Sequence, residues 1–90
     1  MKKKKYKIIN ENGVHARPAT SLVNTCMTFA CEIYLSVGKK EVDFKSIMGV
    51  MSLGIYSGTV VEVTCDGLDE AEALNAINAK MYELNLGKEL

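Results

Sequence analysis

What most constrains this chain is a repeated change of hydrophobic period. Segments in which apolar and polar residues alternate are separated by segments in which apolar residues recur every three or four positions, so strands and helices must interleave within ninety residues. Tyr6-Lys7-Ile8 alternates and stops at the Asn12-Gly13 turn, which predicts a short first strand. The lysines ahead of it, Lys2 to Lys5, read as a solvated, partly frayed start. Ala19, Leu22, Val23, Cys26 and Ala30 then make the buried stripe of a helix over about residues 16 to 28. Pro18 sits in its first turn, where a missing N–H costs little. Ile33, Leu35 and Val37 alternate with Tyr34 and Ser36, Gly38-Lys39 turns the chain, and Val42 and Phe44 flank Asp43, which predicts a hairpin. Ser46 ahead of Ile47 to Leu53, with Gly54 behind, marks a short capped helix. Val61, Val63 and Cys65 share one side of a further strand. Asp69-Glu70-Ala71-Glu72 reads as a capping box opening the last helix. Leu74, Ile77, Met81 and Leu84 form that helix's buried face, and Gly87 ends it.

The predicted order is βαββαβα. Short strand-to-strand links allow antiparallel pairing, so the expected fold is α+β: an open-faced two-layer sandwich, a four-stranded antiparallel sheet covered on one face by three helices, forming one domain over residues 1–90. Eleven Lys+Arg balance eleven Asp+Glu, which removes the uniform basic field of a chain that binds nucleic acid through its phosphates. The balance is uneven. Residues 1–45 carry nine basic and four acidic side chains, residues 46–90 two and seven, so charge-driven partners are expected to be acidic and to meet the first half. Cys26, Cys31 and Cys65 are odd in number and fit neither CxxC nor zinc spacing, which predicts reduced, buried thiols, no metal and a cytoplasmic location. Only Ile8-Ile9 follow the lysines, so no export segment is read there, and nothing is long enough for membrane insertion.

The one histidine, His15, lies where the first strand's loop enters the first helix. Backbone N–H groups at a helix start point outward without partners and carry roughly half a positive charge, so they attract phosphate. A neutral imidazole offers a nitrogen lone pair, which makes it a nucleophile for phosphoryl transfer. The helix start, built from Ala16, Arg17 and Pro18, is then a candidate phosphate cradle, with the Arg17 guanidinium aimed at the phosphate oxygens. Gly13 lets the loop bend so that the ring emerges. A histidine near a helix start is by itself usually a solvated residue or casual cap; what narrows the odds is a unique His, a helix N-terminus, a nearby Arg and no competing acid–base cluster.

Two segments carry a resemblance. Gly13-Val14-His15-Ala16-Arg17-Pro18-Ala19 and Lys45-Ser46-Ile47-Met48-Gly49-Val50-Met51-Ser52-Leu53-Gly54 are similar to HPr, the family of histidine-containing phosphocarriers of the bacterial phosphoenolpyruvate-dependent sugar phosphotransferase system. The likeness spans nearly the whole chain and includes the βαββαβα order. It implies that the protein is a carrier rather than an enzyme, needs no cofactor, takes a phosphoryl group on His15 Nδ1 from phosphorylated enzyme I and passes it to IIA domains of sugar permeases, with Arg17 assisting. Members of low-GC Gram-positive type carry a serine matching Ser46, which implies phosphorylation by HPr kinase/phosphorylase and, in that state, binding to catabolite control protein A. The protein is expected to be a monomer.

Partner contacts follow from both readings. A short helix cannot hide every side, so Ile47, Met48 and Met51 are expected to form an exposed, adaptable patch near His15, with Val50 and Leu53 in the core. The resemblance adds Thr20, Asn24 and Met27 on the first helix's outer face. Asn12, which departs from the family pattern together with Glu11, joins the contacts as a residue that tunes donor or acceptor preference. Three rivals weigh less. A seryl-only module of this fold lacks the active histidine. A ferredoxin-like RNA or copper binder needs paired aromatics or paired cysteines that are missing here, and an enzyme with its own substrate lacks a carboxylate pair or a glycine-rich cradle.

Overall fold

The architecture was examined in a computed structural model that describes residues 1–90. The elements are β1 (Lys2–Ile8), α1 (Ala16–Met27), β2 (Glu32–Val37), β3 (Lys40–Asp43), α2 (Ile47–Ser52), β4 (Val60–Asp66), α3 (Glu70–Glu83) and β5 (Gly87–Glu89). All strand pairs are antiparallel, in the order β3-β2-β4-β1-β5. Period-two alternation puts Tyr6, Ile8, Ile33, Leu35, Val61, Val63 and Cys65 on one face, where they meet Leu22, Val23 and Cys26 of α1, Val50 of α2 and Ile77 and Met81 of α3 in a cluster of 20 buried residues. Each fully buried aliphatic side chain contributes about 1.5–3 kcal/mol. The largest fully buried side chain is aromatic, Tyr6, and its hydroxyl is satisfied by donating to Asn78 Oδ1 at 2.7 Å.

The sandwich and its three helices are as expected, but the sheet has five strands rather than four. Asn85, not Gly87, ends the last helix: it takes φ 51°, a left-handed conformation that asparagine tolerates. Buried Leu86 then returns the chain to the sheet, and Gly87 opens β5, paired beside Ile8. The lysine run is not frayed, since Lys2 to Lys7 pair residue by residue with β4. Ala30 falls outside α1 and is exposed, because Thr28 caps the helix two residues earlier. Phe44 is buried but lies just past β3.

The capping box does not form either. Asp69 stands at the N-cap of α3, where its carbonyl accepts from Ala73 N–H but its side chain caps nothing; the carboxylate accepts instead from the Ala30 and Cys31 N–H groups at 2.8 and 2.9 Å. Those bonds, that from Ala30 foremost, hold its carboxyl below the usual value. All three cysteines are buried free thiols. Burial first, and Asp69 next, push Cys31 up to about 12. No helix is long and apolar enough to cross a membrane.

Candidate functional site

His15 is the N-cap of α1. Its backbone is extended (φ −98°, ψ −177°), its carbonyl starts the helix by accepting from Ala19 N–H at 3.1 Å, and its ring is exposed and makes no capping hydrogen bond. The N–H groups of Ala16 and Arg17 therefore have no hydrogen-bond partner, and Pro18 has no N–H to give. Two outward-facing donors and the positive end of a twelve-residue helix stand beside the ring. Pro18, buried, contributes a fixed φ rather than a donor. Arg17 is exposed, and none of the ion pairs in the molecule involves it. It is a free cation on the open outer face of α1, beside Ala16, Thr20, Ser21 and Asn24.

The loop before His15 is fixed through its backbone. Gly13 has φ +63°, and a Cβ there would lie 2.2 Å from Ile55 O. Only glycine permits that approach, which lets Val14 N–H donate to Ile55 O at 3.0 Å while Gly13 N–H donates to Asn10 O. Asn12 is exposed at the turn, its N–H held by Asn10 Oδ1 at 2.9 Å. The segment Ile55-Tyr56 thus supports the site, and sequence reading passed over it. Its only signal was the pair of turn glycines, Gly54 and Gly58, that bracket it.

On α1, Thr20 and Asn24 are exposed; the Thr20 hydroxyl donates to Ala16 O at 2.8 Å. Met27 is exposed rather than buried. On α2, which packs against α1, Met48 is 84% and Met51 41% exposed, so these two carry the adaptable patch. Ile47 is a correction: it is half-buried against the core, as is Leu53, while Val50 is fully buried. Ser46 caps α2, its Oγ accepting from Gly49 N–H at 3.0 Å. The basic first half of the chain does not gather here. Lys2 to Lys5 and Lys7 lie on β1, Lys39 and Lys40 at the hairpin, and Lys45 Nζ donates to Phe29 O, which leaves Arg17 the one cation on the outer face of α1. No three His, Cys, Asp or Glu side chains converge as metal ligands.

Known proteins share both the sequence and the shape. The family described as the PTS HPr component phosphorylation site matches residues 2–82. A histidine-containing phosphocarrier protein of Mycoplasma is 33% identical with a TM-score of 0.94, over 97% of this chain and 99% of that one. HPr-C-His from Thermoanaerobacter tengcongensis is 42% identical with a TM-score of 0.86 over 100% of both chains. Crh, the catabolite-repression protein of Bacillus subtilis, seen as a domain-swapped dimer, is 40% identical with a TM-score of 0.72 over 81% and 84%. Agreement this extensive in sequence and in backbone leaves one conclusion, that the chain belongs to the HPr family, the phosphocarriers of the phosphotransferase system.

Proposed function

We propose that residues 1–90 act as a single cytoplasmic carrier domain in which His15 Nδ1 takes a phosphoryl group from phosphorylated enzyme I and yields it to IIA domains of sugar permeases. The observation that carries this reading is the exposed imidazole at an uncapped helix start, beside two backbone N–H groups without partners. The ring lone pair attacks phosphorus as the donor's bond to it breaks, and the reverse exchange unloads it. Charge spread over three equatorial oxygens is met by the Ala16 and Arg17 N–H groups and the Arg17 guanidinium. Asn12, Thr20, Asn24, Met27, Met48 and Met51 form the docking surface, with half-buried Ile47 behind them.

Ser46 is the regulatory site in this reading, a substrate of HPr kinase/phosphorylase. A phosphate there adds about 1.5 to 2 negative charges at the positive end of α2, so the fold tolerates it while docking of enzyme I weakens and binding to catabolite control protein A is favoured. The test incubates the protein with phosphoenolpyruvate and enzyme I. One acid-labile phosphate per chain that vanishes in His15→Ala is expected, and an undiminished phosphate in that variant would overturn the assignment. With ATP and the kinase, an acid-stable phosphate should appear on Ser46 and be absent from Ser46→Ala.

A further inference from the structure

The face of the sheet turned away from the helices is charged in two poles. Strand register puts Lys3, Lys5 and Lys7 of β1 and Lys88 of β5 on it at one side, and Glu62 and Asp66 of β4, Glu32 of β2 and Glu41 and Asp43 of β3 at the other. Two like-charge pairs stand directly opposite across neighbouring strands: Lys7 with Lys88, and Glu32 with Asp66. Such pairs cost stability in a chain on its own. Glu32, Glu41, Asp43 and Asp66 crowd Tyr34, Glu32 most, and push its phenol up.

The poles neutralise each other only along the seam between β1 and β4, where Lys5 stands opposite Glu62, Lys3 reaches Glu62 at 3.9 Å and the Met1 ammonium reaches Asp66 at 3.8 Å. Away from that seam, with strands about 4.8 Å apart, the β1/β5 and β2/β3 charges lie two to four strands from one another, about 10 to 19 Å, beyond the Debye length of about 8 Å at physiological salt. Lys5, Lys7, Lys88, Glu32 and Glu41 have no ion-pair partner and are exposed.

We propose that this face is a self-association surface on which a second copy of the chain docks face to face. A two-fold axis lying in the plane of the sheet, across the line that joins the poles, sets the basic pole of each copy on the acidic pole of the other. Both like-charge pairs are then relieved at once, and the contact is isologous, so it closes at a dimer. An acidic partner protein would satisfy only the lysine pole and leave the opposite one repelled. The face spans five strands, about 24 Å by about 20 Å, so it buries on the order of 500 Å² per copy. That total, about 1,000 Å², belongs to weak and transient contacts. Because the helices occupy the other layer, both His15 rings stay free in the pair.

Sedimentation velocity or translational diffusion by NMR on the full chain tests this. Expected is dimerisation with a dissociation constant on the order of a millimolar at about 20 mM salt, at least tenfold weaker at about 0.5 M. The double variant Lys7→Glu/Lys88→Glu brings the basic pole from four positive charges to none, and Glu32→Lys/Glu41→Lys brings the acidic pole from five negative charges to one. Each alone should associate clearly less than wild type, and an equimolar mixture, which sets an intact basic pole on an intact acidic one, should recover part of the loss. A Lys39→Glu/Lys40→Glu variant has the net charge of Lys7→Glu/Lys88→Glu but keeps both poles, so it should self-associate clearly more than that variant. A chain that stays monomeric at millimolar concentration overturns the proposal, as does association indifferent to salt or a mixture that fails to recover it. So does a Lys39→Glu/Lys40→Glu variant that self-associates no better than Lys7→Glu/Lys88→Glu, or a wild-type chain that ignores itself yet binds a polyanion such as heparin through the lysine pole.

Discussion

The starts of α1 and α2 differ in one respect that matters. Each opens on a residue with extended backbone, His15 at φ −98° and Ser46 at φ −113°. Both starts leave their first two N–H groups without partners, but Ser46 turns its oxygen back onto its own helix and bonds the third, Gly49 N–H, whereas the His15 side chain makes no such bond and Pro18 in the matching place has no N–H to give. A cap is worth about 1 kcal/mol, so α1 starts at a disadvantage of that order. Its support comes from elsewhere: the backbone of the preceding loop is fixed against Ile55, and Pro18 presets the first turn. The start of α1 is thus held by the chain behind it, while the start of α2 holds itself, a division that suits the roles proposed for His15 and Ser46.

Breaking the support should have the largest effect. Gly13→Ala combines a left-handed φ with a Cβ 2.2 Å from Ile55 O, and a loss of about 2–4 kcal/mol is expected in urea denaturation, with slower phosphoryl uptake by the folded fraction. A loss under about 0.5 kcal/mol would mean that the loop does not hold the site in this way. The start of α3 makes a third case, since Asp69 gives its carboxylate to Ala30 and Cys31 rather than to α3. Its carboxyl is lowered from 3.8 by those bonds, so its contribution to stability is complete above that value and is lost as pH falls through the lower folded value. Asp69→Asn should lower the melting temperature at pH 7, and the gap to wild type should narrow below about pH 3.8. A gap that stays constant down to pH 2 would contradict the assignment.

The capping comparison itself predicts unequal costs. Ser46→Ala should destabilise by about 1 kcal/mol and His15→Ala by less than about 0.5, although both remove the side chain of an N-cap. Equal losses would erase the distinction. Ser46→Asp keeps an acceptor at the cap, so stability should stay within about 0.5 kcal/mol of wild type. Its added charge should raise the KM for enzyme I roughly five- to tenfold, about 1 to 1.4 kcal/mol, and unchanged transfer kinetics would remove Ser46 from the docking surface.

Sequence made the helix starts legible unevenly, and the reason is physical. Ser46 was readable as a cap because its partner, Gly49, is three residues away. Asp69 looked equally local, with Glu72 three residues on, yet its partners lie 38 and 39 residues back, and no local pattern reports them. The same holds for β5. Three residues after a helix carry too little period to announce a strand, and only the free edge of β1 makes Gly87–Glu89 one. The exposure of His15, Arg17, Met48 and Met51 is as position and periodicity led one to expect, while the roles assigned to His15 and Arg17 rest on the resemblance to HPr. Ile55-Tyr56 was missed because it serves the site with its backbone, and a main-chain carbonyl leaves no mark in a sequence.

Charge separates the two regions least. The basic first half suggested steering of acidic partners, but folding sends five of its lysines to β1, two to the hairpin and one to Phe29 O, so that Arg17 is the one cation on the outer face of α1. With one exposed cation near the site, raising salt from about 0.05 to about 0.5 M should slow association with enzyme I by less than about threefold. Stopped-flow association rates at three ionic strengths decide it. A tenfold decrease would show that lysines far from His15 take part in the encounter, and it should then be lost in Lys7→Glu/Lys88→Glu. A small decrease, shared by that variant, would place recognition in Met48, Met51 and the outer face of α1, where contact area rather than charge sets the lifetime of the complex.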